Sequence, residues 1–404
     1  MAAVAVRAKT IIPNANDVAQ NGVTFAALGR IDDGAAVFDA GRVAWCGAID
    51  ALPRQFRDAE LHEFPDCVLV PGLVDAHAHP LFAGDREPDF AARQRGEKAP
   101  LGMLYTVTQT RKALEHPAAF WERLQPRLRT MLAHGTTTLE TKTGYALHAP
   151  GEMDLLDMLA PHRDSATLPR LVPTFLGAHA LPPEFPDERA YVDYLVDQCL
   201  PVAKAHGAVY ADAFCEPGFF SPGETRRYLE AARTHGLRLR VHCDEMQYGA
   251  AAQMAVGAGV DAVDHCNCIT GEDVEAIARR GIVTVACPAT IAYLDLKQHA
   301  PVRALLQRGG SVALASDYNP GTSPCFNLQT VAYFGRKIFG LSAAEALYGV
   351  TVAAAKSLHA DAGTLRPGVP ADAVLLRMES PDEFGWQFGG NLAAAVYRNG
   401  LRAA

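Results

Sequence analysis

Short apolar runs rich in β-branched residues alternate with longer amphipathic segments between residues 67 and 320. A short apolar run bounded by polar residues predicts a buried strand, whereas apolar residues repeating every three or four positions predict a helix. Eight strands are predicted in this way: CVLVPGLVDAHAH (67–79), TTTLETKTG (136–144), RLVPTFLGAHA (170–180), AVYADAFCE (208–216), LRLRVHCDE (237–245), GVDAVDHCN (259–267), IVTVACP (282–288) and SVALASDYN (311–319).

Helical segments separate these strands, and several of them end in glycine, the residue that best accepts the left-handed conformation of a helix cap. Examples are ERLQPRLRTMLAHG, PGETRRYLEAARTHG, GAAAQMAVGAG, TGEDVEAIARRG and PVRALLQRGG. Strands that alternate with helices predict parallel pairing, and eight such units close a (β/α)8 TIM barrel. A doubly wound open sheet is the alternative, but no Gly-x-Gly-x-x-Gly turn follows a predicted strand.

The two ends of the chain have a different pattern, with short strand signals separated by glycine and aspartate turns. We expect residues 1–66 and 361–404 to pair into one small β-sandwich domain that is discontinuous in sequence. Residues 67–360 would then form the barrel, which gives an α/β fold class with two domains.

Composition and charge narrow the classes of function. The chain has 404 residues, 49% of them apolar and 20% charged, with a net charge of −8, as in ordinary acidic soluble enzymes. Nucleic-acid binding is not expected, because it needs a basic surface. The sequence contains neither a membrane-length apolar run nor a continuous signal-peptide core at its start, so we expect a cytoplasmic protein. Nine scattered cysteines fit a reducing compartment, and the close pair Cys266 and Cys268 is weak evidence for metal.

Polar side chains gather where the predicted strands end. In a TIM barrel the C-terminal strand ends meet at one mouth, which holds the catalytic groups. The residues concerned are His77, His79, His179, His242, Asp244, Glu245, His265 and Asp317.

The pair His77 and His79 stands two positions apart, so both imidazoles share one face of their strand. Taken alone, the pair could equally be two half-buried histidines. Together with His242 and Asp317 it predicts three nitrogens and one oxygen around one divalent metal, with zinc the first choice. Zinc lowers the pKa of a bound water to about 7, which provides a nucleophile at neutral pH.

The segments DAHAH, HCDE, DHCN and ASDYNPGTS resemble the amidohydrolase superfamily in combination. Within it, FAGDREPDF, ETKTGYALH, LGAHALPPEF, FCEPGFFS and SDYNPGTSP resemble the imidazolonepropionase family, over residues 67 to about 400. The resemblance implies a barrel with a β-sandwich, one zinc or iron ion, and a homodimer. It also implies hydrolysis of a cyclic amide C–N bond in a small molecule, converting 4-imidazolone-5-propanoate to N-formimino-L-glutamate in histidine degradation.

The same resemblance assigns roles by position. The metal ligands would be His77, His79, His242 and Asp317. The catalytic residues would be Glu245 as proton shuttle, His265, and Asp317. The substrate-binding residues would be Arg86, Tyr145, His179, Asn319 and Gly321.

Some residues leave alternatives open. Lys142 could be a metal-bridging carboxylated lysine, but its place on the second predicted strand favours a structural or substrate-facing role and one metal. Glu216 ends a strand without an assigned role. The segment GEKAPLGMLYTV departs from the family pattern because Tyr105 is displaced, so the substrate could be a related ring.

Two other classes of function remain to be weighed. A deaminase or a hydrolase of a related nitrogen heterocycle is the alternative activity, because HCDE also resembles cytosine-deaminase-type members. A barrel without catalysis, serving as a scaffold, would lack metal ligands, yet all four are present.

Overall fold

The computed structural model describes residues 3–404. Within them, the strands are β1 (Val4–Ile11), β2 (Ile31–Asp39), β3 (Arg42–Ala48), β4 (Glu60–Pro71), β5 (Leu73–Asp75), β6 (Thr136–Lys142), β7 (Arg170–Ala178), β8 (Tyr210–Cys215), β9 (Arg238–Cys243), β10 (Ala262–His265), β11 (Val283–Ala286), β12 (Ser311–Leu314), β13 (Ala373–Arg377), β14 (Ala393–Arg398) and β15 (Leu401–Arg402).

The α-helices of the same residues follow the barrel strands for the most part. They are α1 (Glu87–Gln94), α2 (Gly102–Leu114), α3 (Pro117–Ala133), α4 (Ala149–Leu159), α5 (Glu188–Tyr194), α6 (Leu200–Ala203), α7 (Pro222–Thr234), α8 (Ala251–Ala258), α9 (Gly271–Arg280), α10 (Pro288–Leu294), α11 (Val302–Gln307), α12 (Leu328–Phe339), α13 (Ala343–Tyr348) and α14 (Ala354–Ser357). None of these helices has the length and apolar character needed to span a membrane.

Strands β5 to β12 form one parallel sheet in chain order, which confirms the predicted eight-stranded barrel. The barrel closes between its first and last strands just beyond their ends. The His79 N–H donates to the Tyr318 carbonyl, and the Asp317 N–H donates to the His77 carbonyl, each at 2.9 Å. The closing contacts therefore involve three of the predicted metal ligands.

The first predicted strand is in fact two strands that belong to different sheets. Strand β4 ends at Pro71 and belongs to a second sheet outside the barrel, which we call the outer sheet. Strand β5 begins at Leu73 and belongs to the barrel. Gly72 makes the step between them, and a Cβ atom there would collide with the Thr137 side chain. The apolar run reads as continuous because both strands are buried.

The outer sheet combines strands from both ends of the chain, as the sequence predicts. Its order is β15-β14-β13-β4-β1-β2-β3, with β1 and β4 parallel and the other pairs antiparallel. One face packs around Ile11, Phe38, Leu69 and Leu375 in a core separate from that of the barrel. The central strand β4 leads directly into the barrel strand that precedes His77.

Capping residues fix the starts and ends of several helices. Thr270 begins α9 with reciprocal side-chain and backbone hydrogen bonds to Asp273, the arrangement known as a capping box. Gly259 and Gly281 end α8 and α9 with left-handed φ angles of 65° and 67°. The glycines at the ends of these two predicted helices thus act as caps.

Candidate metal centre and substrate cavity

The barrel places the predicted site residues at the C-terminal ends of its strands. His242 lies within β9, while His77, His79 and Asp317 follow β5 and β12 directly. Asp317 and His265 have left-handed φ angles of 50° and 66°, which are unfavourable for residues with a Cβ atom. Residues in such conformations cluster at active sites, although ordinary turns such as that at Ala40 also contain them.

Three imidazole nitrogens converge at the centre of the barrel mouth. The Nε2 atom of His79 lies 3.1 Å from that of His77 and 3.4 Å from that of His242. Nitrogens about 2.0–2.1 Å from a zinc ion at tetrahedral angles are about 3.3–3.4 Å apart, so this spacing fits three ligands of one ion.

Hydrogen bonds of the Nδ1 atoms of His77 and His242 determine the tautomer of each imidazole. The Nδ1 atom of His77 lies 2.8 Å from an Asp264 oxygen, and that of His242 lies 3.2 Å from an Asp212 oxygen. A carboxylate accepts the Nδ1 proton, which leaves a lone pair on each Nε2 atom. Two lone pairs that face the same point repel each other unless a cation lies between them, so the donor set fits a metal ion.

Asp317 adds an oxygen to this group. Its Oδ1 atom lies 3.4 Å from the Nε2 atoms of both His77 and His79. Its other oxygen accepts a hydrogen bond of 2.7 Å from the Thr290 hydroxyl, which orients the carboxylate. Asp317, which follows the last barrel strand, thus lies close enough to bind the same candidate ion as His77 and His79, which follow the first barrel strand.

The pKa values of His77 and His242 are shifted in opposite directions. Burial and Lys142 lower the pKa of His77, but Asp264 and Asp317 outweigh them and raise it to about 9. Burial holds the pKa of His242 well below its ordinary value. The nearby carboxylates thus govern His77, whereas burial governs His242.

A second cluster adjoins the first and consists of Glu245, His265 and Asp317, whose ligand-type atoms lie within 4.8 Å of one another. Burial, and after it Asp317 and Glu216, raise the pKa of Glu245 well above its ordinary range. Burial lowers the pKa of His265 to about 4. A protonatable carboxyl and a neutral imidazole therefore stand beside the candidate metal ligands.

Lys142 lies beneath the ligands in a fully buried group of charges. Its Nζ atom is 2.6 Å from Asp212, 2.9 Å from Glu140 and 3.3 Å from Asp264. Arg240 joins the same group through Asp264 at 2.9 Å. Lys142 thus contacts the two aspartates that accept protons from ligand histidines, and it does not line the cavity above.

The cavity over this centre has a volume of about 220 Å³. Most of the predicted site residues line it, together with five that sequence reasoning missed. The predicted ones are His79, Arg86, Tyr145, His179, His242, Glu245, His265, Asp317 and Asn319; the missed ones are Met103, Phe214, Phe219, Met246 and Thr322.

At one end of the cavity lies Arg86, whose side chain is 12% exposed. Its Nε atom is 2.6 Å from the buried Asp89 carboxylate, which fixes the guanidinium. Gly321 does not line the cavity; a Cβ atom at this residue would collide with the Arg86 guanidinium, so glycine provides its space. Asn319 builds the neighbouring turn by accepting the N–H groups of Gly321 and Thr322 at 2.8 and 2.7 Å.

The remaining polar wall is formed by His179 and Tyr145. The Nδ1 atom of His179 lies 2.9 Å from the Gly144 carbonyl, which fixes the proton on that nitrogen and leaves Nε2 as an acceptor. Burial and His79 lower the pKa of His179 to about 3, so the ring is neutral. Met103 lines the cavity in the segment where the sequence departs from the family pattern, whereas Tyr105 lies beside Gly84.

One strand-end residue does not point into the mouth as expected. The Asp244 carboxylate is fully buried and accepts the N–H groups of Gly249, Ala251 and Ala252 at 2.6, 3.3 and 3.0 Å. The left-handed φ of 46° at Asp244 turns its side chain toward α8. Asp244 therefore shapes the loop after β9 and has no place in the cavity.

The chain belongs to the amidohydrolase family, whose model matches residues 68–398. Its curated relatives include an imidazolonepropionase from Sphingopyxis alaskensis, 37% identical over 373 residues that cover 90% of this chain and 91% of the relative. An imidazolonepropionase from Ralstonia nicotianae is 38% identical over 386 residues, which cover 93% of this chain and 94% of that relative.

Among solved structures, the atrazine chlorohydrolase TrzN from Arthrobacter aurescens, complexed with zinc, superposes with a TM-score of 0.75 at 17% identity. The superposition covers 99% of this chain and 94% of that one, so the two proteins share the whole fold. At this level of identity the likeness concerns the fold alone.

Proposed function

We propose that this protein is a hydrolase that opens a cyclic amide by cleaving its C–N bond, with 4-imidazolone-5-propanoate as substrate and N-formimino-L-glutamate as product. The observation that carries the proposal is the convergence of His77, His79, His242 and Asp317 beneath a cavity that also contains Glu245 and Arg86. The relation to imidazolonepropionases at 37–38% identity over almost the whole chain supports the choice of ring.

The proposed cofactor is one divalent metal ion, with zinc preferred and iron as the alternative. Three imidazoles with one carboxylate suit zinc chemistry and leave a coordination position open. Lys142 supports a single ion, because its ammonium group is bound by three carboxylates and is not free to become a bridging carbamate. When bound, such an ion would act as a Lewis acid and lower the pKa of water.

Glu245 is the proposed proton carrier. Its raised pKa makes its carboxylate a base that can take up a proton and hold it inside the cavity, and the nearby His265 imidazole and Asp317 carboxylate can accept a hydrogen bond from the protonated form. Hydrolysis adds one water across the ring C–N bond. Glu245 would take the proton of that water and deliver it to the departing ring nitrogen, so the product keeps every nitrogen.

Arg86 is the proposed partner of the substrate carboxylate. Its Nε atom is occupied by Asp89, while its terminal nitrogens have no hydrogen-bond partner among residues 3–404. A guanidinium fork binds a carboxylate with two parallel hydrogen bonds. Bound in this way, the propionate would lie at the Arg86 end, with the ring over the metal ligands and against His179 and Tyr145.

The decisive experiment combines metal analysis of the purified protein with an assay on 4-imidazolone-5-propanoate. We expect about one metal per chain, loss of ring absorbance, and no release of ammonia. Release of ammonia would contradict ring hydrolysis and indicate a deaminase. A metal-loaded protein that leaves the imidazolone intact would contradict the proposed substrate and direct the assay to related cyclic amides.

Arg86 can be tested with matched substrates. In Arg86→Gln we expect KM for the imidazolone propanoate to rise by about 10- to 100-fold, in line with the loss of a bidentate charged pair. An imidazolone that carries an uncharged propanamide arm should be turned over equally by both proteins. Arg95→Gln, which breaks an exposed ion pair with Glu97, is the control. Equal losses on both substrates would contradict the role of Arg86.

The same proposal includes a homodimer in the cytoplasm without nucleic-acid partners, and two domains bounded as residues 1–66 with 361–404 and residues 67–360. The net charge of −8 supports the absence of nucleic-acid binding. Light scattering measures the oligomeric state. Limited proteolysis of the full chain tests the domain bounds.

A further inference from the structure

Glu216 occupies a position between two barrel strands that the proposed chemistry does not use. It directly follows β8, and its side chain is almost completely buried. Glu216 does not line the cavity over the metal ligands, so it cannot touch the substrate there. Its carboxylate points instead toward the loop that follows β9.

Three consecutive backbone N–H groups of that loop converge on the Glu216 carboxylate. One oxygen accepts from Glu245 at 2.8 Å, and the other accepts from Met246 at 3.1 Å and Gln247 at 2.8 Å. This segment lies outside helices and strands, so the three N–H groups have no ladder partners. The bond to the Glu245 N–H is buried, and a buried N–H group without an acceptor costs about 1–3 kcal/mol, so the Glu216 carboxylate fixes the first part of the loop while Asp244 fixes the part nearer α8.

The backbone carbonyls of Asp244 and Glu245 accept hydrogen bonds from the loop that follows β10. The Asn267 side chain donates to the Glu245 carbonyl at 3.2 Å, and the Cys268 N–H donates to the Asp244 carbonyl at 2.9 Å. The main chain of Glu245 is therefore fixed on both sides, and its carboxyl is the part that faces the cavity.

We propose that Glu216 is a positioning residue, which aims the Glu245 carboxyl at the reacting ring by fixing the backbone N–H groups of residues 245–247. The inference rests on the proposed function, because it assigns the proton transfer to Glu245. Glu216 acts through three hydrogen bonds to main chain, so any side chain with one acceptor retains only part of its effect. A displacement of about 1 Å in a catalytic group can cost about 100-fold in rate.

The test compares Glu216→Ala and Glu216→Gln with the wild type, each loaded with metal. We expect kcat to fall by about 10- to 100-fold in Glu216→Ala and by less in Glu216→Gln, whose amide keeps one acceptor oxygen. KM should change by less than kcat, because Arg86 is untouched and only Glu245 and Met246 among the cavity residues belong to the freed segment. Metal content per chain should not change.

Glu188→Gln is the matched control. The Glu188 carboxylate accepts one N–H group, that of Ser221 at 2.8 Å, from the far end of the loop that begins at Glu216. This variant should lose stability without losing kcat. If Glu216→Ala lowers the melting temperature but keeps full kcat in the folded enzyme, Glu216 is a structural residue and the proposal fails.

Two further measurements separate this inference from the proposed function. In a Glu245→Gln background, Glu216→Ala should change the residual kcat by less than about threefold, because Glu216 acts through the Glu245 carboxyl that is already absent. Hydrogen exchange of the amides of residues 245–247, which needs no substrate, should be faster in Glu216→Ala and unchanged in Glu188→Gln. Unchanged exchange in Glu216→Ala would overturn the inference, whereas an inactive wild type with faster exchange in Glu216→Ala would overturn only the substrate assignment.

Discussion

The barrel interior and the outer sheet both contain close ion pairs, but they differ in their access to water. Lys142 lies 2.6 Å from Asp212, with both side chains fully buried. Lys9 lies 2.7 Å from Glu379, with side chains that are 43% and 84% exposed. Because the two nitrogen–oxygen distances are nearly equal, the two pairs differ mainly in how deeply they are buried.

This difference shows what each set of charges does. An exposed pair interacts through water and contributes little to stability. A buried pair has lost its hydration, so each partner depends on the other, and removing one leaves an unpaired charge. In the barrel, the aspartates bound to Lys142 also accept the protons of His77 and His242, so these buried charges orient two candidate metal ligands.

The largest effect is expected from a histidine in each region. His242→Ala should lower kcat by more than about 1,000-fold and reduce the metal content, because it removes a candidate ligand. His62→Ala in the outer sheet, which loses a 2.6 Å hydrogen bond to Tyr397, should keep kcat and metal content. Elemental analysis and the imidazolone assay check both variants. Full metal retention in His242→Ala would contradict the assignment of His242 as a metal ligand.

Removal of the buried ammonium is expected to have the next largest effect. Lys142→Met should destabilise the protein by about 3–5 kcal/mol, because Asp212 loses its buried ammonium partner and Arg240 is left as the one cation in direct contact with Glu140 and Asp264. Urea unfolding of the metal-free protein measures this free energy directly. A loss below about 1 kcal/mol would mean that burial does not separate the two regions.

The ion pair of Glu345 with Arg303 joins one buried and one partly exposed side chain, and its effect on the free energy of unfolding should depend on pH. Burial raises the pKa of Glu345, but hydrogen bonds from Arg303, Ser342 and Gly22 outweigh it and lower the pKa to about 2. Its stabilising effect is complete above the unfolded pKa of about 4.3 and is lost as the pH falls toward 2. Glu345→Gln should therefore be less stable than wild type at pH 6, by about 1–3 kcal/mol, and the difference should shrink below pH 4.

Urea unfolding at a series of pH values checks the Glu345 prediction. Glu275→Gln, which breaks an exposed pair with Arg308, is the control. A stability difference between Glu345→Gln and wild type that grows on acidification would contradict the depressed pKa of this carboxyl.

The smallest effect is expected from the exposed lysine. Lys9→Met removes its ion pair with Glu379 and should shift the melting temperature by less than about 1 °C. Calorimetry at low and at 1 M salt checks this, because salt screens exposed pairs. A shift of several degrees would show that the outer sheet depends on its surface charges after all.

The sequence predicts the barrel well because each strand is an apolar run of its own, ended by polar residues. The step from β4 to β5 is the exception. Cys67 to Asp75 is an almost continuous apolar run, and nothing in its pattern shows that Gly72 passes from one sheet to another. Only the packing against Thr137 reveals the change of sheet.

The sequence predicts those site residues that stand at the ends of barrel strands. His77, His79 and His242 stand at positions that the strand pattern defines, so their meeting could be foreseen. The apolar lining could not, because Phe214 and Met246 have the character of ordinary core or surface residues. Phe214 lies within β8, whereas the direction of Met246 depends on the conformation of the loop after β9, as the left-handed φ at Asp244 illustrates.

The sharing of β4 between the chain ends bears on the order in which the protein is made. Val70 and Leu69 pair with Val374 and Leu375 of β13, which follows the last barrel strand in the chain. On the ribosome, where the N-terminal part emerges first, β4 keeps an open edge until β13 has been synthesised. The strand that leads into β5 thus acquires its second neighbour only after the whole barrel has been synthesised, and a chain truncated before residue 373 would carry an exposed edge on β4.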